Sequence, residues 1–151
     1  MNNMEMKTGQ LSVEPLWARL MIAGGAFTGA LAISLSAYAT HGPSLMGSSP
    51  IMVQTALHFL QIHALGLILV GALGLFRPHE IRLMLAGGLF VSGCVCFSAN
   101  ILIRAWLDIQ TFKALIPWGG TSFILGWLAL SLAFLRKVKP PQASESGDQT
   151  H

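Results

Sequence analysis

Four uncharged, mostly apolar stretches alternate with short polar segments along the chain: Leu20 to Ala39, Ile51 to Phe76, Leu83 to Ile103 and Ala114 to Leu135, none of which contains an Asp, Glu, Lys or Arg. About 20 residues of α-helix rise roughly 30 Å, the thickness of the hydrocarbon core of a bilayer. The pattern predicts an all-α protein, a four-helix transmembrane bundle running up-down-up-down. Residues 1–15 read as a flexible cytoplasmic arm, 16–136 as the membrane domain, and 137–151 as a disordered cytoplasmic tail rich in Gln, Ser, Glu, Gly and Asp. The connection Thr40 to Pro50 is uncharged and dense in turn formers. The connection from Arg77 to Arg82 is so short that the second and third spans must form an antiparallel hairpin. Arg104, Asp108 and Lys113 are assigned to the third connection.

Charge refines this picture. Only 10% of the 151 residues are charged, against about 25% in a soluble domain, as a surface facing lipid requires. The net charge of +3 is no nucleic-acid signal, because the cations sit at helix ends instead of on one face. Lys7, Arg19, Arg77, Arg82, Arg136, Lys137 and Lys139 share one side of a four-span path, leaving Arg104 and Lys113 on the other. Seven cations against two place both termini in the cytoplasm of a bacterial inner membrane by the positive-inside rule. Ala37-Tyr38-Ala39 has the small-x-small form of a signal cleavage site. The apolar run before it is longer than the about 7 to 15 residues usual for a signal peptide, which favours a retained first span.

Small residues mark packing faces. Gly25 and Gly29 form a GxxxG in the first span, Gly88 and Ser92 repeat that spacing in the third, and Gly119 and Gly120 open the fourth behind Pro117. Such residues let helix backbones approach. Proline in a first helical turn costs no hydrogen bond.

Candidate chemistry is confined to polar residues within the spans. His41, Gln54, His58, Gln61, His63, Ser98, Asn100 and Thr121 all fall in the half of the bundle assigned to the outside. Gln54, His58 and Gln61 follow the i, i+4, i+7 spacing of one helix face, and are expected to face the bundle near His41, Asn100 or Thr121. His63 is turned about 140° from His58. It lies near the midplane and should face the interior, with Ser98 the nearest polar partner in depth. Two readings of the set stand side by side: an outward-opening polar cavity for an ion, proton or small ligand, and interhelical hydrogen bonds that fix register, worth about 0.6 to 2 kcal/mol each. No metal or other cofactor is signalled. His58 and His63 do not share a face, and no carboxylate lies in a span. Cys94 and Cys96 lie about 200° apart on a helix, which rules against a disulfide between them.

Several segments together resemble a known family. Ser36-Ala37-Tyr38-Ala39-Thr40-His41 is similar to a Gly-Ala-x-Gly-Ala-His segment ending a first span. Gln54-Thr55-Ala56 with His63-Ala64-Leu65 is similar to a second-span motif, and Phe97-Ser98 to a Phe-Ser-Gly-Ser segment. Pro117-Trp118-Gly119-Gly120-Thr121-Ser122-Phe123 through Gly126-Trp127 is similar to a Thr-Pro-x-Gly-Gly…Phe…Gly-Trp segment. In order and spacing these cover about residues 18–136. They resemble the small inner-membrane proteins typified by YgdD and YwdK, the family called domain of unknown function 423. The resemblance implies a four-span membrane protein without an established activity, and directs interest to His41, His63, Gly119, Gly120 and Trp127. The chain departs from the family pattern at Ser36 and Ala39, at Ala99 and Asn100, and at His58.

With no nucleophile–base pair or metal signature, an enzyme ranks last. The expectation is a non-enzymatic subunit or accessory protein in the lipid bilayer, joined to a membrane-protein partner or assembled as a homo-oligomer. The alternative is a small transporter, channel or ligand-binding protein that uses the polar cluster.

Overall fold

The computed structural model describes residues 15–41, 49–108 and 113–135. Those residues are all-helical, with four helices long and apolar enough to cross a membrane. Helix α1 spans Leu16–His41 and α2 spans Pro50–Phe76. The third crossing is one continuous helix of three parts, α3 (Ile81–Gly93), a π-helical turn (Cys94–Ala99) and α4 (Asn100–Leu107). A 3-10 turn, Lys113–Leu115, leads into α5 (Ile116–Phe134). Residues 1–14 of the proposed arm (1–15), residues 42–48 of the first connection and the proposed tail (137–151) lie outside the described residues.

Local signals account for the helix ends. Ser49 is extended and its hydroxyl accepts from the Met52 N–H at 3.3 Å, with Pro50 filling the first turn of α2. Pro117 stands likewise in the first turn of α5. The third crossing outruns its uncharged stretch by a full turn, so Arg104 is part of the helix and not of a connection. It stops where Asp108 turns left-handed (φ 52°) and its N–H bonds the Arg104 carbonyl at 3.1 Å. The short segment between α2 and α3 does more than reverse the chain. Arg82 Nη1 donates to the Leu132 carbonyl at 2.9 Å and Arg77 Nη1 to that of Ala133 at 3.5 Å. The Arg77 guanidinium also lies 4.9 Å from the centre of the Phe134 ring. These arginines satisfy carbonyls that the end of α5 leaves open.

The helices pack in two ways. Helices α1 and α2 meet backbone to backbone. A Cβ on Gly25 would fall 2.7 Å from the Ala64 carbonyl oxygen, and one on Gly71 would fall 2.6 Å from that of Ala18. Ala18, Ala32 and Ala64 complete the seam. Helix α5 approaches the π-helical turn just as closely, with a Gly119 Cβ only 2.5 Å from the Phe97 nitrogen. Between α2 and α5 the space is filled instead by large rings, Phe59, His63, Phe90, Phe123 and Trp127. Phe90 and Phe123 fit because glycines face them, Gly66 and Gly126 against Phe90 and Gly93 against Phe123. The core is apolar except for His63, Ser98, Asn100 and Arg104.

Not every small residue marks a contact. Gly24 and Gly88 have nothing within 4 Å of a built Cβ, and Gly29 and Gly120 meet neighbours only at 3.6 and 4.0 Å. Ser92 is exposed, 3.5 Å from the Ser122 hydroxyl. The closest helix approaches therefore fall at Gly25 and Gly119; Gly29 makes ordinary contact with Ala64 across the α1–α2 seam, Ser92 meets Ser122 of α5, and Gly88 faces open space.

Candidate functional site

The polar residues expected to form one cluster are dispersed over several places. His63 stands at the middle of α2, 1% exposed. Its Nδ1 lies 2.7 Å from the Phe59 carbonyl oxygen, and its Nε2 lies 3.2 Å from Trp127 Nε1 on α5. The indole N–H can only donate, so Nε2 accepts and Nδ1 carries the proton that goes to Phe59. Both ring nitrogens of the neutral imidazole are thereby used. Phe123 stacks on the ring at 3.5 Å between centroids, Phe90 meets it edge-on at 5.2 Å, and Phe59 and Trp127 close the remaining sides. Nothing is left to hold a ligand. The side chain is a pin between α2 and α5, and its partner is Trp127 and not Ser98. The Ser98 hydroxyl, fully buried, has no hydrogen-bond partner. The exposed hydroxyls of Ser34, Thr55, Thr121 and Ser122 each bond the carbonyl four residues back; in the π-helical turn that carbonyl is displaced.

Gln54, His58 and Gln61 do share a face, as their spacing requires, but it is not the face toward the bundle centre. Gln54 and His58 are exposed. With Ser36 and Thr40 of α1 the three line a cavity of about 490 Å³ between the two helices. Gln61 Nε2 donates to Ser36 Oγ at 3.3 Å and ties the helices together at its floor. The cavity exists because α1 and α2 touch through glycine at Gly25 and Gly71, while side chains hold them apart at the level of Ser36. Ala39, Pro50, Val53, Thr55 and Leu57 supply the rest of the lining. Its polar groups are amides, hydroxyls and one imidazole, which offer both donors and acceptors, and its lining holds no carboxylate, lysine or arginine.

The other candidates lie elsewhere. His41 is exposed at the last residue of α1. Thr121 is exposed on α5 and bonded to its own helix, at 3.0 Å from the Pro117 carbonyl. Asn100 is buried on α4, one turn before the equally buried Arg104. Neither Asn100 nor Thr121 lines the cavity. Two residues outside the expected set matter more than several within it. Trp127 holds His63, and its motif position had already drawn attention to it. Arg104 brings a charge inside the helical region; the apolar Ile101-Leu102-Ile103 before it and Ala105-Trp106-Leu107 after it were the available signal. Cys94 is buried and Cys96 half-buried, both free thiols.

Comparison with known proteins gives the chain its relatives. The family model described as "Protein of unknown function (DUF423)" matches residues 35–120. UPF0382 membrane protein YwdK of Bacillus subtilis is 31% identical over 122 residues, covering 78% of this chain and 98% of its own length. UPF0382 membrane protein SH2409 of Staphylococcus haemolyticus is 31% identical, covering 80% and 98%. A UPF0382 membrane protein of Haemophilus influenzae is 28% identical, covering 70% and 86%. No solved structure matches the chain. With a family model over more than half of its length and relatives about 30% identical that are named membrane proteins of bacteria, this four-helix chain belongs to the family described as DUF423.

Proposed function

We propose that the chain is a non-enzymatic subunit or accessory protein of an inner-membrane complex, with both termini cytoplasmic, and that it meets its partner at the polar cavity between α1 and α2. One observation carries this reading: Gln54 and His58 are exposed inside a membrane-spanning helix. His58 lies eight residues beyond Pro50, about 12 Å along the helix. A polar side chain at such depth must find a polar partner or water. His63 cannot supply chemistry to a substrate, since both its nitrogens are engaged and its faces are covered. Polar side chains of a neighbouring membrane helix would satisfy Gln54 and His58 at about 0.6 to 2 kcal/mol per contact.

A second reading is favoured by the cavity itself, which at about 490 Å³ is large enough for a small neutral polar ligand. Copurification of the full chain in mild detergent separates the two. A stoichiometric protein partner that is retained by the natural chain and lost from the Gln54→Leu, His58→Leu double variant supports the subunit reading. A partner held equally by both removes the cavity from it. A homo-oligomer that releases a small polar molecule on denaturation favours the second reading.

A further inference from the structure

The outward face of α2 carries a heptad spacing. Ile51, His58 and Leu65 follow one another at intervals of seven residues. So do Ile62, Leu69 and Phe76, a second series that starts four residues after His58. At about 100° per residue the six positions fall within an arc of about 60°, and all six are exposed. The arc is turned away from both neighbours of α2. Ala64 and Gly71 meet α1 on one side, and His63 and Gly66 meet Phe90 on the other. Five of the six residues are apolar and none is charged. The sixth is His58, with Gln54 one turn before it at the α1 edge of the arc, where the polar cavity opens. Lipid tails have nothing to offer a hydrogen-bonding group at that depth.

From these features we infer that the face is covered by the same face of a second copy of the chain, in a dimer whose two-fold axis runs along the membrane normal. The inference rests on the reading that the polar cavity is where the chain meets a protein, and it names that protein. Depth selects a copy first. Two copies cross the bilayer in the same direction, so His58 of each lies at one level, and a two-fold axis sets like residue against like. Chemistry agrees with depth. An imidazole with one ring proton has one donating and one accepting nitrogen, and the Gln54 amide has both kinds of group, so each side chain can bond its own kind. The cavity between α1 and α2 leaves room for those side chains beside the seam. The apolar positions supply the rest. A heptad seam suits two parallel membrane helices crossing at about 20°, and one polar residue within such a seam fixes its register. A face without charge also meets its copy without like-charge repulsion.

The test is oxidative cross-linking of the full chain in bacterial membranes with copper phenanthroline. Ile51→Cys and Leu65→Cys, both on the seam, should each give a product of twice the chain mass. Ile124→Cys, exposed on α5, should not, and the natural chain, whose own thiols are buried or half-buried, is the blank. Equal yields from Ile51→Cys, Leu65→Cys and Ile124→Cys mean random collision and overturn the proposal. A cross-linked product of another mass from Ile51→Cys or Leu65→Cys marks a different protein on the face; it overturns the second copy and leaves the cavity as a protein-binding site. No product from either seam position overturns the dimer, and if copurification also finds no protein partner, the protein-binding reading fails with it. A second measurement reads the polar pair directly. Energy transfer between donor-labelled and acceptor-labelled copies of the purified chain, followed as phosphatidylcholine vesicles are diluted with lipid, gives the dimer constant. His58→Leu should weaken it about 3- to 30-fold, the equivalent of one interhelical contact. A dimer of unchanged strength in His58→Leu overturns the proposal that this residue sits at the interface.

Discussion

His63 shows how a titratable residue can be central without being reactive. Its ring is consumed by one carbonyl, one indole and an aromatic enclosure. A double-mutant cycle of His63→Leu and Trp127→Phe, read by thermal unfolding in detergent, should return a coupling of about 0.6 to 2 kcal/mol. Additive single effects would mean that the pair does not hold α2 to α5. Ser98 gives the opposite expectation. Its hydroxyl is fully buried without a partner, so Ser98→Ala removes a desolvated group and should leave the melting temperature unchanged or raised, by up to about 1 to 3 kcal/mol of stability. A clear loss would show that the hydroxyl is bonded. That His63 faces inward was legible from its depth and its angle to His58. That Trp127 would receive it was not, because the second and fourth spans meet only through long rings, whose reach no spacing in either segment encodes.

At the scale of the element, glycines of identical appearance do different things. Gly25 and Gly71 sit where a Cβ would meet the facing backbone within 3 Å, while Gly24 and Gly88 face open space. Gly25→Leu and Gly71→Leu should each cost at least the roughly 1 to 3 kcal/mol of an overpacked core and release α1 from α2, detectable as faster proteolysis within α1. Gly88→Ala should be neutral or stabilising by about 0.5 to 1 kcal/mol, through helix propensity alone. Equal melting temperatures for Gly24→Leu and Gly25→Leu would contradict this assignment of the seam. The four crossings could be read from uncharged length, and the face shared by Gln54, His58 and Gln61 from helical spacing. Which neighbour that face would meet could not be read, since α2 is flanked on more than one side and polar spacing gives a direction only relative to the helix itself. The extent of the third crossing was hidden by Arg104: charge ended the apolar stretch at Ile103, whereas the backbone continued to Leu107.

For the whole molecule the charge distribution bears on direction. Arg19, Arg77 and Arg82 stand at the start of α1 and around the turn between α2 and α3, at one end of the described helices. Two of them are engaged with the end of α5, so the cationic end is also a structural clasp. A fusion after Lys139 should give cytoplasmic reporter activity and no alkaline phosphatase activity; phosphatase activity there would invert the molecule and move the polar cavity to the inner leaflet. Arg77→Ala and Arg82→Ala together should weaken both functions of that end, loosening α5 and reducing the charge bias that sets orientation. A mixed topology of the double variant, seen as activity from both reporters, is the expected result.

The π-helical turn carries a consequence for length change within the family. A π turn closes its hydrogen bonds over one residue more than an α turn, so Cys94–Ala99 amounts to a single-residue insertion absorbed within one crossing. Deleting one residue there, such as the exposed Val95, lets the turn close as α-helix and leaves both flanks with their faces unchanged. Deleting one residue in a crossing without such a turn, such as Ile62 of α2, rotates everything beyond it by about 100° and swings the buried His63 away from Trp127. The first deletion should insert and fold, and the second should not. Relatives that differ by one residue in this crossing should carry the difference within Cys94–Ala99.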